Sequence, residues 1–300
     1  MDNNTVGGSR INLAAGDDEG TWLHAWGLIT SFVVSMTLKV AMELGIFDAL
    51  SNAGSGAITA DELAQLGAAA GGGQTAFKRT HGVPMGKHLG RSPRLVGVVD
   101  KAMVQISVMV TSKLLERFHG FDDMVVLIDV GGSTGSTLEM ITSKYKHIRG
   151  IYFAQPHVIS LAPSIPGVEH IAGNMLDNVP AGDAIFLKLY IYELLFQNFH
   201  QGWDEPTHAD CGFSCATTVL HILDDNDCIK VLKNCHQALS DKGRLIAVEF
   251  ILDVMMLNNS EGGKERTEQE FIKLARESGF SGTFQSTCIF GNFWALKFTK

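Results

Sequence analysis

Basic residues are scarce in this chain and never gather: 24 lysines and arginines stand against 32 aspartates and glutamates, for a formal net charge of −8. Without a basic run there is no stripe to track a phosphate backbone, so nucleic acid is not expected as a partner. Cysteines are few and odd in number: Cys211, Cys215, Cys228, Cys235 and Cys288. With no secretion signal beside them they read as reduced thiols, and a cytoplasmic location follows. Long apolar runs are missing as well. Residues 20–38 carry no Lys, Arg, Asp or Glu, yet Thr21, His24, Thr30, Ser31, Ser35 and Thr37 interrupt them and Lys39 follows, so no membrane span is expected. The opening "MDNNTVGGSRINLAAGDDEG" has acids and polar groups where a secretory signal needs a basic start and an apolar core, and residues 1–20 read as a disordered leader. No internal repeat occurs, and the small-residue stretch "GAAAGGGQTAF" is a linker.

What is present is enough apolar surface for one large or two modest cores, at 45% hydrophobic residues. Over residues 22–50 the pattern is helical, with Ser31, Ser35 and Lys39 as a narrow polar stripe. Such a helix must be covered nearly all round, by its own core or by a partner subunit. In "ITADELAQL", Thr59 and Glu62 have capping-box spacing and start a second helix. Helical periodicity returns over 99–118 through Met103, Val110, Leu114 and Leu115, with Gly120 as the stop.

Beyond Asp122, β-rich runs alternate with helical ones. "VVLIDVG", "IRGIYFA", "VEHIAG", "AIFLKLY" and "RLIAVEFIL" read as strands, and "DCIKVLKNCHQAL" as a helix. The fold class is therefore α/β, a doubly wound Rossmann-like sheet. In "VLIDVGGSTG" a strand runs into glycines, which allow backbone amides to approach a cofactor at a strand end. A dinucleotide site places a ribose-holding acid at the end of the following strand. That place is taken by Ala154.

The motifs "LIDVGGSTG", "GIYFAQPHVI", "APSIPGVEHIAGNM", "DAIFLK", "IKVLKNCHQAL", "AVEFIL" and "GGKERTEQEF", in this order, resemble those of the plant caffeic-acid-type O-methyltransferases. The resemblance implies an S-adenosylmethionine-dependent, metal-independent enzyme that methylates a hydroxyl of a small phenolic acceptor. It implies a helical dimerisation and substrate region over 1–122, a catalytic domain over 123–300, and a homodimer. By position it makes His221 the base and Glu249 and Glu265 the carboxylates that hold it. It places Gly131, Ala154, Asn174, Met175 and Lys188 at the cofactor and Met103 at the substrate.

The chain departs from that pattern where the cofactor sits. Ala154 and Asn174 replace two acids, Ile222 replaces the aspartate after the histidine, and Ile106 replaces a substrate-region histidine. Residues 189–218 form an insertion at the active-site rim, a connecting stretch after "EFIL" is shortened, and the linker at 67–76 replaces much of the N-terminal domain. These changes leave an alternative, a degenerate homologue that persists as a dimer partner or defective product. Within the insertion, His208, Cys211 and Cys215, together with His221, offer zinc-type donors, but the spacing is not that of a standard finger and no metal is expected.

Overall fold

The computed structural model describes residues 20, 39, 41–42, 45–52, 78, 82–83, 88, 92–132, 135–188, 220–221, 223–250 and 266–300. The proposed capping box at Thr59, the linker at 67–76 and the insertion at 189–218 lie outside the described residues. Near the N-terminus the helical pattern of residues 22–50 does not run unbroken. Gly45 adopts the left-handed conformation at φ +67° and its N–H donates to Met42 O at 3.1 Å, so a separate helix α1, Ile46–Asn52, starts after it. Helix α2 spans Pro93–Arg117 and begins earlier than the apolar periodicity predicts. Proline tolerates a first helical turn because that turn has no partner for its N–H.

A seven-stranded sheet follows: β1 Val126–Val130, β2 Arg149–Ala154, β3 Val168–Ala172, β4 Gly182–Leu187, β5 Leu239–Phe250, β6 Phe284–Phe290 and β7 Phe293–Thr299. Its order is β3-β2-β1-β4-β5-β7-β6. Strands β1 to β5 pair in parallel, and β7 joins antiparallel between β5 and β6. Consecutive residues are buried along β1, β2 and β4, for instance Leu127–Ile128, Tyr152–Phe153 and Ile185–Phe186. Burial without alternation means that both faces of the central sheet are covered, as crossover connections require. Edge strand β3 lacks this continuity.

Four further helices are described: α3 Ser136–Lys144, α4 Pro156–Leu161, α5 Asp225–Ala238 and α6 Glu268–Glu277. Helix α3 packs on α2, and α5 packs on α6. Two caps fix the starts of α5 and α6. Asp224 accepts Asp227 N–H at 2.9 Å, while Thr267 and Glu270 exchange bonds in a reciprocal capping box. These caps matter for the site, since His221 and Arg266 lie just ahead of them. Among the described residues, no helix is long and apolar enough to cross a membrane.

Candidate active site

In an open parallel sheet, ligands settle beyond the carboxyl ends of the strands where the order reverses. Here that point is β1, flanked by β2 on one side and β4 on the other. A cleft open to solvent lies there, lined among others by Gly131, Phe153, Ala154, Gln155, Asn174 and Met175. Four predicted cofactor residues thus share one cleft. Its lining among the described residues holds no ionisable side chain.

Each of these four sits differently from the simplest expectation. Gly131 is left-handed at φ +75°, and its N–H donates to Phe153 O at 2.9 Å. Its amide therefore serves the sheet, and its contribution to the cleft is the missing side chain. Ala154 is only 4% exposed, and its carbonyl accepts Gly173 N–H at 2.9 Å. Asn174 Oδ1 accepts Leu176 N–H at 3.0 Å, so part of its accepting capacity is already used in its own turn. Met175 is held through its carbonyl, which receives Asn234 Nδ2 from α5 at 2.8 Å.

Lys188 does not line this cleft. The residue is 3% exposed, and its ammonium donates to Ser107 Oγ at 2.6 Å, Thr111 Oγ1 at 2.9 Å and Thr137 Oγ1 at 3.0 Å. Ser107 and Thr111 belong to α2 and Thr137 to the first turn of α3, so one lysine at the end of β4 ties both helices to the sheet. Burial pushes its pKa down to about 7, against the opposing charge of Asp129. Asp129, on β1, is missing from the sequence-based set of site residues. Burial pushes its carboxyl up to about 7 against the charge of Lys188, and neither oxygen has a hydrogen-bond partner among the described residues. A Cβ on Gly132 would lie 2.1 Å from Asp129 Oδ2, which places the carboxylate directly against the glycine loop.

His221 and Glu249 form the second cluster. The imidazole is 1% exposed, and its Nδ1 lies 3.1 Å from Glu249 Oε2 at the end of β5. The other carboxylate oxygen accepts Leu220 N–H at 2.8 Å. With Glu249 as a carboxylate, which can only accept, the 3.1 Å contact assigns the proton to Nδ1 and leaves Nε2 as the basic nitrogen. Burial, followed by the positive charge of Arg266, holds the pKa of His221 down to about 3. An unfolded histidine titrates near 6.5, so this group contributes stability that is present above pH 6.5 and is lost as pH falls toward 3. At pH 5 the loss is expected to be about 2 kcal/mol relative to pH 7. Urea unfolding at the two pH values checks this: His221→Asn should show a smaller drop than the parent, and an equal drop would assign the pH dependence elsewhere.

Three expectations cannot be placed. Glu265 lies outside the described residues, as do His208, Cys211 and Cys215. Met103 falls within α2, and its side chain is likewise outside the described set. What sequence reasoning missed is the support beneath the site: Asp129, and Arg266, buried at 1% exposure beside His221.

A family profile described as an O-methyltransferase domain matches residues 62–197 and 206–281, and one described as an O-methyltransferase dimerisation domain matches 26–75. The chain belongs to the O-methyltransferase family. A caffeate O-methyltransferase-like protein of Oryza sativa subsp. japonica is 41% identical, over 95% of this chain and 98% of its own. A probable inactive methyltransferase of the same plant is 39% identical, over 97% of each. Among solved structures, human N-acetylserotonin methyltransferase in complex with S-adenosylmethionine aligns over 96% of this chain and 99% of its own, with a TM-score of 0.56 and 17% identity. At that identity the likeness concerns the fold. Members of this O-methyltransferase family use S-adenosylmethionine. The residues present fit that donor: a cleft sits at the switch point, and a buried carboxylate with no partner among the described residues lies against the glycine loop, suited to a cationic ligand. The fit is weakest at Ala154, whose side chain carries no hydrogen-bond acceptor, although Gln155 beside it lines the same cleft.

Proposed function

We propose that this O-methyltransferase methylates a hydroxyl of a small phenolic acceptor, of phenylpropanoid or flavonoid type, with His221 as general base. The observation that carries this reading is the buried His221–Glu249 pair at the strand edge that also bears the cleft. S-adenosylmethionine, when bound, supplies a methyl group activated by its sulfonium. Gly131, Ala154, Asn174 and Met175 form the wall that receives it, with Asp129 beneath the loop. Glu249 fixes the ring so that Nε2 accepts the phenolic proton, and Glu265 is assigned the same orienting duty. A phenol titrates near 10 and an unperturbed imidazole near 6.5, so prior proton transfer would be uphill by roughly 5 kcal/mol, and by more for a ring held lower. His221 therefore takes the proton as the oxygen is methylated, and the protein's further task is alignment. The match to a dimerisation domain supports a homodimer, with residues 1–122 as the dimerisation and substrate region and 123–300 as the catalytic domain.

A specific observation favours a second reading, that of a homologue with impaired or lost activity. Among the described residues the cleft wall carries no charge, and Ala154 stands where the ribose acceptor belongs by motif position. Restoring that acceptor tests both readings. Ala154→Asp is expected to tighten binding of S-adenosylhomocysteine by roughly tenfold to a hundredfold, the value of one charge-assisted hydrogen bond. Because the position is nearly buried, the same change should lower the stability of the ligand-free protein. Titration calorimetry of parent and variant reads the affinity. An unchanged affinity would show that Ala154 does not meet the ribose.

A further inference from the structure

Among the described residues Arg266 is the bulkiest of the fully buried side chains. Its Nη1 donates to Leu220 O and its Nη2 to Leu223 O at 3.0 Å, while Nε and Nη2 reach Asp225 Oδ1 at 3.0 and 2.5 Å. Leu220 immediately precedes His221 and Leu223 soon follows it, so one guanidinium closes over both flanks of the turn that carries the imidazole. Glu249, on β5, takes the Leu220 N–H and faces Nδ1 of the ring. Neither grip is needed to build the sheet. Both converge on His221.

We propose that Arg266 is a positioning residue for His221, holding the ring neutral, with Nδ1–H toward Glu249 and Nε2 as the proton acceptor. The proposal rests on the reading of His221 as the base. Its logic is a balance of charges. Glu249 alone, in a buried setting, would draw a proton onto the ring before any acceptor arrived, and an imidazolium cannot act as a base. The Arg266 cation offsets that carboxylate, in keeping with the direction in which it shifts His221. Among the described residues, Asp224, Asp225 and Cys228 are further titratable groups beside the cluster. Asp224 and Asp225 sit at the start of α5, and Cys228 on α5 has its thiol pushed up to about 12 and donates to Leu220 O at 3.1 Å. Lysine could supply the charge but not the planar fork that meets two carbonyls and a carboxylate together.

The test follows the ring itself, in the full chain labelled with ¹⁵N at histidine, with the His221 signals assigned by their loss in His221→Asn. In the parent the ring should remain the neutral Nδ1–H tautomer as pH falls, until acid unfolding. In Arg266→Gln it should protonate while the parent ring is still neutral, with at least a tenfold gain in proton affinity. Arg266→Lys keeps the cation and loses the fork. It should stay neutral but show mixed tautomers, and its kcat should fall roughly tenfold or more with donor affinity unchanged. A titration of Arg266→Gln that superimposes on the parent would overturn the proposal. Should that variant fail to fold, Arg266→Lys decides, and a single parental tautomer with parental kcat would overturn it. Titration and tautomer need no turnover, so a chain that keeps these signatures but transfers no methyl group counts against the O-methyltransferase reading alone.

Discussion

His221→Ala is expected to lower methyl transfer by roughly 10²- to 10⁴-fold while leaving donor affinity within about twofold. The imidazole is not in the wall of the cleft, so removing it leaves the donor's surroundings intact. What disappears is the only described group placed by a carboxylate to take a proton in this cluster. The variant also removes the His221 ring from Glu249, a buried carboxylate that still accepts the Leu220 N–H, and some loss of stability should accompany the loss of rate. Single-turnover transfer from labelled donor separates the two effects, because it reads the chemical step on folded protein. A variant with the parental rate would remove His221 from the mechanism.

Lys188→Met is expected to lower the unfolding free energy by about 3–5 kcal/mol, the usual cost of removing one member of a buried charged cluster. Methionine fills similar space but donates nothing. Three hydroxyls, on Ser107, Thr111 and Thr137, would lose their shared donor, and Asp129 would lose the one charge that offsets its burial. Denaturant unfolding reads the change directly. The contrasting outcome is informative: a variant of parental stability with weakened donor binding would return Lys188 to the cofactor, the role that motif position alone assigns to it.

Lys188 also shows where a sequence stops being legible. The motif places it after the fourth strand, and there it stands. Its partners lie 81, 77 and 51 residues away, and no local pattern links an ammonium to hydroxyls on helices so distant. Arg266 was hidden for a related reason, since a charged residue in a polar stretch reads as solvated unless its acceptors are known. The parallel strands were legible because continuous β-branched runs between helical segments have few alternatives. The β6–β7 hairpin carries a short-range signal in the sequence: Gly291 and Asn292 separate two aromatic-rich runs, and Gly291 turns the chain at φ +52°. The box of Thr267 and Glu270 that starts α6 was equally readable. His221 and Glu249, 28 residues apart, were paired only through the family resemblance, and the fold brings them to 3.1 Å.

The central question is whether a cleft whose described lining carries no charge still takes the donor. Titration calorimetry of the full parental chain with S-adenosylmethionine and S-adenosylhomocysteine tests this most directly. The expected result is saturable binding, weakened roughly tenfold to a hundredfold by the missing acceptor at Ala154 relative to Ala154→Asp. No heat from either ligand at about millimolar concentration, where binding weaker than about −4 kcal/mol escapes detection, would contradict the account and leave a homologue that keeps the fold without the reaction.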